Sequence, residues 1–104
     1  MSTSRVAFVT GAAQGIGEAI ALRLADDNIN LALFDLKDKE PLLQKVVKAI
    51  EAKGRKAVYF VGDVTVDEDV KSSIDKTVTQ LGGLDIVSIH SGELNARTDI
   101  NRVQ

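Results

Sequence analysis

The sequence predicts an α/β fold, one sheet of parallel strands with helices packed on its faces. Two observations carry that expectation. Four short apolar runs, at residues 5–10, 30–35, 56–62 and 84–89, alternate with three segments whose apolar residues recur at helical spacing. The runs are apolar nearly throughout, which suits strands covered on both faces. Helices between such strands supply the cover and make the right-handed crossovers that parallel pairing requires.

The elements follow in order. The first strand, Arg5 to Thr10, stops at Gly11. From Gly15 the spacing is helical, with Ile16, Ala19, Ile20 and Leu24 read as the apolar stripe and Glu18, Arg23 and Asp26 off it. Asp27 and Asn28 end this helix, since Asn tolerates the left-handed conformation found at helix ends. The second strand is 30–35. A second helix has Pro41 near its start and Gly54 just past its end, the favoured placement of those residues. Its stripe is Leu42, Leu43, Val46, Val47 and Ile50. The third strand, 56–62, is β-branched and aromatic. Thr65 and Glu68 stand at capping-box spacing and predict the start of a third helix with stripe Val70, Ile74, Val78 and Leu81. Gly82 and Gly83 end it, and Leu84 to Ile89 reads as the fourth strand. Residues 90–104 show no sustained periodicity, so the expected organisation is a domain over 1–89 and a polar tail over 90–104.

Composition narrows the function. A chain of 104 residues fits one small domain, and 44 % hydrophobic with 27 % charged residues is ordinary for a globular protein. Thirteen Lys and Arg stand against fifteen Asp and Glu, so no basic surface for nucleic acid or an anionic membrane is expected. There is no cysteine, hence no disulfide framework, thiolate metal site or cysteine nucleophile. No apolar run approaches the ~20 residues of a membrane span. The N-terminal residues reach Gly11 too soon for a signal peptide, so a cytoplasmic location is expected.

The informative segment is Thr10-Gly-Ala-Ala-Gln-Gly-Ile-Gly17, between the first strand and the first helix. Gly11 lets the chain turn out of the strand, Gly15 leaves room for a pyrophosphate against the backbone, and Gly17 lets the helix pack closely on the sheet. The helix N-terminus then faces the phosphates with free N–H groups and the positive end of its dipole. The bland alternative is a glycine-rich strand-to-helix turn. Asp35 closes the second strand 18 residues after Gly17. A carboxylate there accepts from both hydroxyls of an adenosine ribose and repels a 2′-phosphate. With Gln14 neutral and no arginine beside Asp35, NAD(H) is favoured over NADP(H), although Lys37 weighs the other way. Asp35 could instead simply start the next turn or cap the second helix. Asp63 and Val64 follow the third strand, where an acidic group could hold an adenine amino group and an apolar one could cover its ring. Turn chemistry alone also favours Asp at that point.

Together, Thr10-Gly11-x-x-x-Gly15-Ile16-Gly17, Asp35, Asp63-Val64 and Leu84-Asp85-Ile86-Val87 resemble the N-terminal part of the short-chain dehydrogenase/reductase family, continuously over residues 5–88. The stretch from Ala12 to Leu24 is similar to the diacetyl/acetoin and 3-oxoacyl reductase branches. The resemblance implies a Rossmann-type parallel sheet of strand order 3-2-1-4 with three helices, incomplete relative to the family fold. It also implies a cofactor role for Gly11, Gln14, Gly15, Ile16, Gly17, Asp35, Asp63 and Val64. The family reaction is hydride transfer between a nicotinamide cofactor and an alcohol or carbonyl. Two departures stand out. The family's Asn-Asn-Ala-Gly is replaced by Ile89-His90-Ser91-Gly92, and the catalytic Ser and Tyr-x-x-x-Lys have no counterpart. The only tyrosine, Tyr59, is followed four residues later by Asp63 rather than lysine.

Other polar groups read as structural. His90 is expected to be a solvated strand end, and Ser88 and Ser91 lack the acidic partners of a triad. Asp67, Glu68 and Asp69 suit the first turn of a helix better than a metal site. Lys45, Lys48 and Lys53 form a solvated face. The expected function is therefore the NAD(H)-binding portion of an oxidoreductase, inactive alone. The alternatives are a noncatalytic nucleotide-binding or interaction module that pairs with a full-length relative, and a split enzyme completed by another chain. In the order 3-2-1-4 the first two helices share one face and the third lies on the other. The fourth strand is then an open edge, from which self-association or a covering partner is expected.

Overall fold

The computed structural model describes residues 5–90 and the backbone of residues 99–101; the rest of the chain lies outside the described residues. The elements are β1 (Arg5–Thr10), α1 (Gly15–Asp26), β2 (Ile29–Asp35), α2 (Glu40–Ala52), β3 (Ala57–Val61), α3 (Asp67–Leu81), β4 (Ile86–Ile89) and β5 (Asp99–Asn101). A single 3₁₀ turn, Lys37–Lys39, leads into α2. The sheet order is β3-β2-β1-β4-β5. β1 pairs in parallel with β2 from Arg5↔Ile29 to Thr10↔Phe34, and with β4 from Ala7↔Ile86 to Val9↔Ser88. β2 pairs in parallel with β3 up to Asp35↔Val61. The Rossmann-type arrangement expected for the first four strands is thus present.

The core has two halves, one on each face of the sheet. Ala7, Val9, Leu31 and Leu33 point to the side of α1 and α2 and pack with Ala21, Ala25, Leu43, Val46 and Ile50. Phe8, Ala32, Phe34 and Val87 point to the other side, where Val70, Ile74 and Leu81 of α3 cover them. The alternation along each strand is that of a pleat buried on both faces. Asn28 ends the first helix at φ 67°, the left-handed conformation its position suggested.

Five details differ from the sequence reading. The buried face of α1 is Gly17, Ala21 and Ala25, while Ile16 is 65 % exposed and Ala19 is exposed. Small side chains at i, i+4 and i+8 let the helix lie close against the sheet, so the larger residues turn outward. The capping box does not form. Val66 is the N-cap of α3 without a side-chain bond, and Thr65 bonds back to Asp63 instead. Ser73 and Thr77 are the buried residues of α3, their hydroxyls donating to the carbonyls of Asp69 and Ser73, and Val78 is 45 % exposed. Returning hydroxyls to the helix backbone in this way removes the cost of burying them.

The last two differences concern the sheet edge. β4 starts at Ile86 rather than Leu84. Asp85 instead joins the start of β1 with both its groups, its N–H donating to Val6 O (2.8 Å) and its Oδ2 accepting from Val6 N–H (2.9 Å). Beyond β4, where a polar tail was expected, β5 runs antiparallel in the register Val87↔Asn101, Ser88↔Ile100 and Ile89↔Asp99. β4 is therefore not an open edge over residues 87–89. Unpaired strand amides and carbonyls need partners, and a short segment that follows the strand closely is a ready source of them.

Candidate functional site

The carboxyl ends of β1, β2 and β3 lie level with one another. Thr10 pairs with Phe34, and Gly62 N–H donates to Asp35 O at 3.0 Å, extending the ladder by one step past β3. The segments that leave these ends, 11–14, 36–39 and 62–66, therefore line one rim of the sheet. Ligands of open α/β sheets bind at this end of the strands.

Gly11 (φ 64°) and Gly15 (φ 63°) both adopt the left-handed conformation. A Cβ at Gly15 would meet nothing within 4 Å, so the backbone there is open to an approaching group. A Cβ at Gly17 would overlap the Gly11 carbonyl oxygen, so the first turn of α1 lies directly against the loop. Gln14 is the N-cap of α1, with extended backbone and no side-chain bond to the helix. The first N–H groups of α1 thus have no side-chain acceptor. Ile16 stands exposed beside them.

Asp35 laces this loop to β2. Its Oδ2 accepts from Ala13 N–H at 3.0 Å and its Oδ1 from Leu36 N–H at 2.8 Å. Ala12 N–H donates to Phe34 O at 3.3 Å. The turn-starting role is thus one of two things Asp35 does. A carboxylate has about four acceptor positions, so capacity remains for the two hydroxyls of a ribose. Leu36, 45 % exposed, extends the apolar surface of the rim. Its signal in the sequence was an apolar residue straight after the strand-ending Asp.

At the third strand end, Asp63 Oδ1 accepts from Thr65 N–H (2.9 Å) and from the Thr65 hydroxyl (2.6 Å). These two bonds, the hydroxyl first, hold its carboxyl below the ordinary aspartate value. Asp63 N–H donates to Asp69 Oδ2 at 3.0 Å. Val64 is half-buried and packs on the α3 side of the core, and Val66 is 42 % exposed. Asp67, Glu68 and Asp69 form the acidic first turn of α3. The sequence placed Thr65 in a capping box and Asp69 in an acidic first turn, and gave no signal of their bonds to Asp63.

The fourth strand end departs most from expectation. His90 is 8 % exposed, not solvated. Its Nε2 lies 2.7 Å from Ser88 Oγ, its N–H donates to Thr10 Oγ1 (2.7 Å), and its carbonyl accepts from that hydroxyl (3.3 Å). Burial lowers the imidazole pKa below its ordinary value. The His90 carbonyl would lie 3.1 Å from a Cβ at Gly11, so this residue backs the first glycine of the loop. Residues i and i+2 of a strand share a face, which brings Ser88 to the ring, and pairing with β1 brings Thr10 to its backbone. Tyr59 has a structural part, its hydroxyl donating to Glu40 Oε2 (2.7 Å) and accepting from Gln44 Nε2 (3.0 Å), which ties β3 to α2. Among the described residues, no helix is long and apolar enough to cross a membrane.

The arrangement suits an elongated anionic ligand. An open glycine backbone and uncapped helix N-terminus fit a pyrophosphate, and the adjacent carboxylate with spare acceptors fits a vicinal diol. Comparison with known proteins points the same way. The family model of short chain dehydrogenase matches residues 5–102. A short-chain dehydrogenase/reductase of Armillaria gallica is 50 % identical over 92 residues, covering 88 % of this chain and 35 % of the relative. A diacetyl reductase [(S)-acetoin forming] of Staphylococcus epidermidis is 37 % identical over 89 residues, covering 86 % of this chain and 34 % of its own length. Two solved structures share the fold. Carveol dehydrogenase from Mycobacterium avium, in complex with NAD, has TM-score 0.73 and 30 % identity, with 80 % of this chain and 34 % of that chain covered. An alcohol dehydrogenase from Thermococcus sibiricus, complexed with 5-hydroxy-NADP, has TM-score 0.74 and 35 % identity, with 82 % and 36 % covered. The chain spans about a third of the length of the curated relatives it matches. The family model spans nearly the whole chain, and the chain belongs to the short-chain dehydrogenase/reductase family.

Proposed function

We propose that this chain binds NAD(H) through its adenosine and pyrophosphate groups, as the cofactor-holding portion of an oxidoreductase acting on an alcohol or carbonyl. The observation that carries the reading is the Asp35 carboxylate, bonded to the glycine loop through Ala13 N–H and still able to accept from a diol. In this reading Gly11, Gln14, Gly15, Ile16 and Gly17 form the cradle around the pyrophosphate, and Asp35 receives the ribose hydroxyls. Asp63 and Val64 meet the adenine. The negative charge at Asp35 opposes a 2′-phosphate, which favours NAD over NADP.

The bound cofactor would supply the hydride. The chain's own groups bind and orient it, with backbone N–H groups neutralising the phosphates and the Asp35 carboxylate fixing the ribose. Proton transfer in this family's reaction needs an acid–base group such as the tyrosine of Tyr-x-x-x-Lys, and these 104 residues contain no such motif. We therefore expect cofactor binding without carbonyl turnover by this chain alone. Titration with NADH, NADPH and AMP tests the reading. NADH and AMP binding with NADPH weaker supports it, and NADPH binding tighter than NADH refutes the Asp35 assignment. A second reading, pairing with a full-length relative, draws support from Val78, which α3 leaves 45 % exposed. Turnover that appears only on adding a partner chain would favour a split enzyme, and association without turnover an interaction module.

A further inference from the structure

The turn between β3 and α3 is held more firmly than a connection requires. Gly62, which opens it, leaves little room for a side chain. A Cβ there would lie 3.0 Å from the Phe34 ring, 3.0 Å from Asp69 Cβ and 3.1 Å from Asp69 Oδ2. The turn is thus clamped between a fully buried aromatic and the first turn of a helix. The next residue, Asp63, is fixed twice. Its N–H is taken by Asp69 Oδ2 at 3.0 Å, and its Oδ1 by the N–H and hydroxyl of Thr65 at 2.9 and 2.6 Å. Its other oxygen, Oδ2, bonds to nothing among the described residues, although the group stands at the rim where the ligand is placed.

We infer that Asp69 and Thr65 are positioning residues, which hold the Asp63 carboxylate so that its remaining oxygen selects a base carrying an amino group. This rests on the reading of Asp63 as the group that meets the adenine. An ionised carboxylate only accepts hydrogen bonds, so it rewards an exocyclic amine and is repelled by a carbonyl oxygen in the same place. A carboxylate already fixed discriminates more sharply than a mobile one, because no side-chain freedom is lost on binding. Thr65 adds a second effect. Its hydroxyl and N–H stabilise the ionised form, keeping the oxygen an acceptor. Neither residue needs to touch the ligand.

The test compares NADH with reduced nicotinamide hypoxanthine dinucleotide, in which the adenine amine is replaced by a carbonyl. The full chain is titrated with each, following nicotinamide fluorescence. The chain itself should prefer NADH by about tenfold, the scale of one hydrogen bond to a charged group. Asp69→Ala and Thr65→Val should each lower that ratio several-fold. Asp69→Asn should preserve it, because its amide oxygen still accepts from Asp63 N–H. A merely structural role weakens both dinucleotides together and leaves the ratio intact. That result, in either folded variant, overturns the inference. Thr65 is exposed, so Thr65→Val carries the test even where Asp69→Ala does not fold. Should the unaltered chain bind NADH but rank the two ligands equally, the placement of adenine at Asp63 fails, and the inference falls with it. Absence of NADH binding altogether defeats the underlying proposal instead.

Discussion

Asp35 and Ala13 are 22 positions apart in sequence, yet the Asp35 carboxylate accepts the Ala13 N–H at 3.0 Å. One side chain thereby ties the glycine loop to the end of the neighbouring strand before any ligand arrives. Its second oxygen holds the Leu36 N–H and sets the start of the next turn. Under the proposed function, a group that orders both segments would make ribose binding and phosphate binding depend on one another.

Replacing Asp35 should therefore do more than remove one ligand contact. Asp35→Ala is expected to weaken NADH binding by about 1.5–3 kcal/mol, the range for a hydrogen bond to a charged group. It should also speed hydrogen exchange at Ala13. Asp35→Asn keeps one acceptor oxygen for two amides and should fall between. Calorimetry and exchange measurements decide, and an unchanged NADH affinity in Asp35→Ala would reduce Asp35 to a turn-former.

The loop glycines should separate stability from binding. In Gly17→Ala the new methyl overlaps the Gly11 carbonyl, so denaturant melts should show a loss of about 1–3 kcal/mol, as for overpacking elsewhere. Gly15 has open space around it, and Gly15→Ala should cost only the left-handed backbone penalty of about 1–2 kcal/mol. Its methyl would enter the space assigned to the pyrophosphate, so NADH affinity should fall by more than stability does. Undiminished NADH binding in folded Gly15→Ala would place the phosphates elsewhere.

His90 should give the fold a pH dependence. Burial favours its neutral form in the folded chain. As pH falls below the ordinary histidine value of about 6.5, the unfolded chain takes up a proton that the folded chain resists. Stability is full above that value and declines as pH drops toward the lowered folded value. The denaturation midpoint should slope downward across this window, and the slope should flatten in His90→Asn. Equal slopes in the two proteins would show that the ring is not held neutral.

Much of this was legible in the chain, because period and punctuation act locally. The strand runs, Asn28, Pro41 and Gly54 mark elements whose ends the structure places within one or two residues. The α1 face was misread because apolar size was taken as the guide. Close helix–sheet packing instead buries Gly17, Ala21 and Ala25 and turns Ile16 outward. The capping box failed for a related reason. The Thr65 hydroxyl turns back to the nearby Asp63 carboxylate instead of toward the helix. At the proposed site, Asp35 and the glycines are readable from spacing. The burial of His90 is not, since it depends on Thr10, 80 positions away, arriving by strand pairing.

The edge of the sheet supplies the last prediction. The sequence left β4 as an open edge with apolar residues and no Lys or Pro to discourage pairing, from which self-association was expected. In the structure, residues 99–101 pair antiparallel with Val87, Ser88 and Ile89 instead. Intramolecular pairing competes with intermolecular pairing for the same backbone groups, and a tethered segment has the advantage of high effective concentration. A three-residue strand offers few bonds, so the balance should be sensitive to its removal. A variant ending at Thr98 should show faster hydrogen exchange at residues 87–89 and a larger mass by light scattering than the full chain at the same concentration. Exchange and mass unchanged by the deletion would mean that β5 does not protect the edge. In that case the surface of β4 would have to be shielded by another part of the chain, or would not drive association at all.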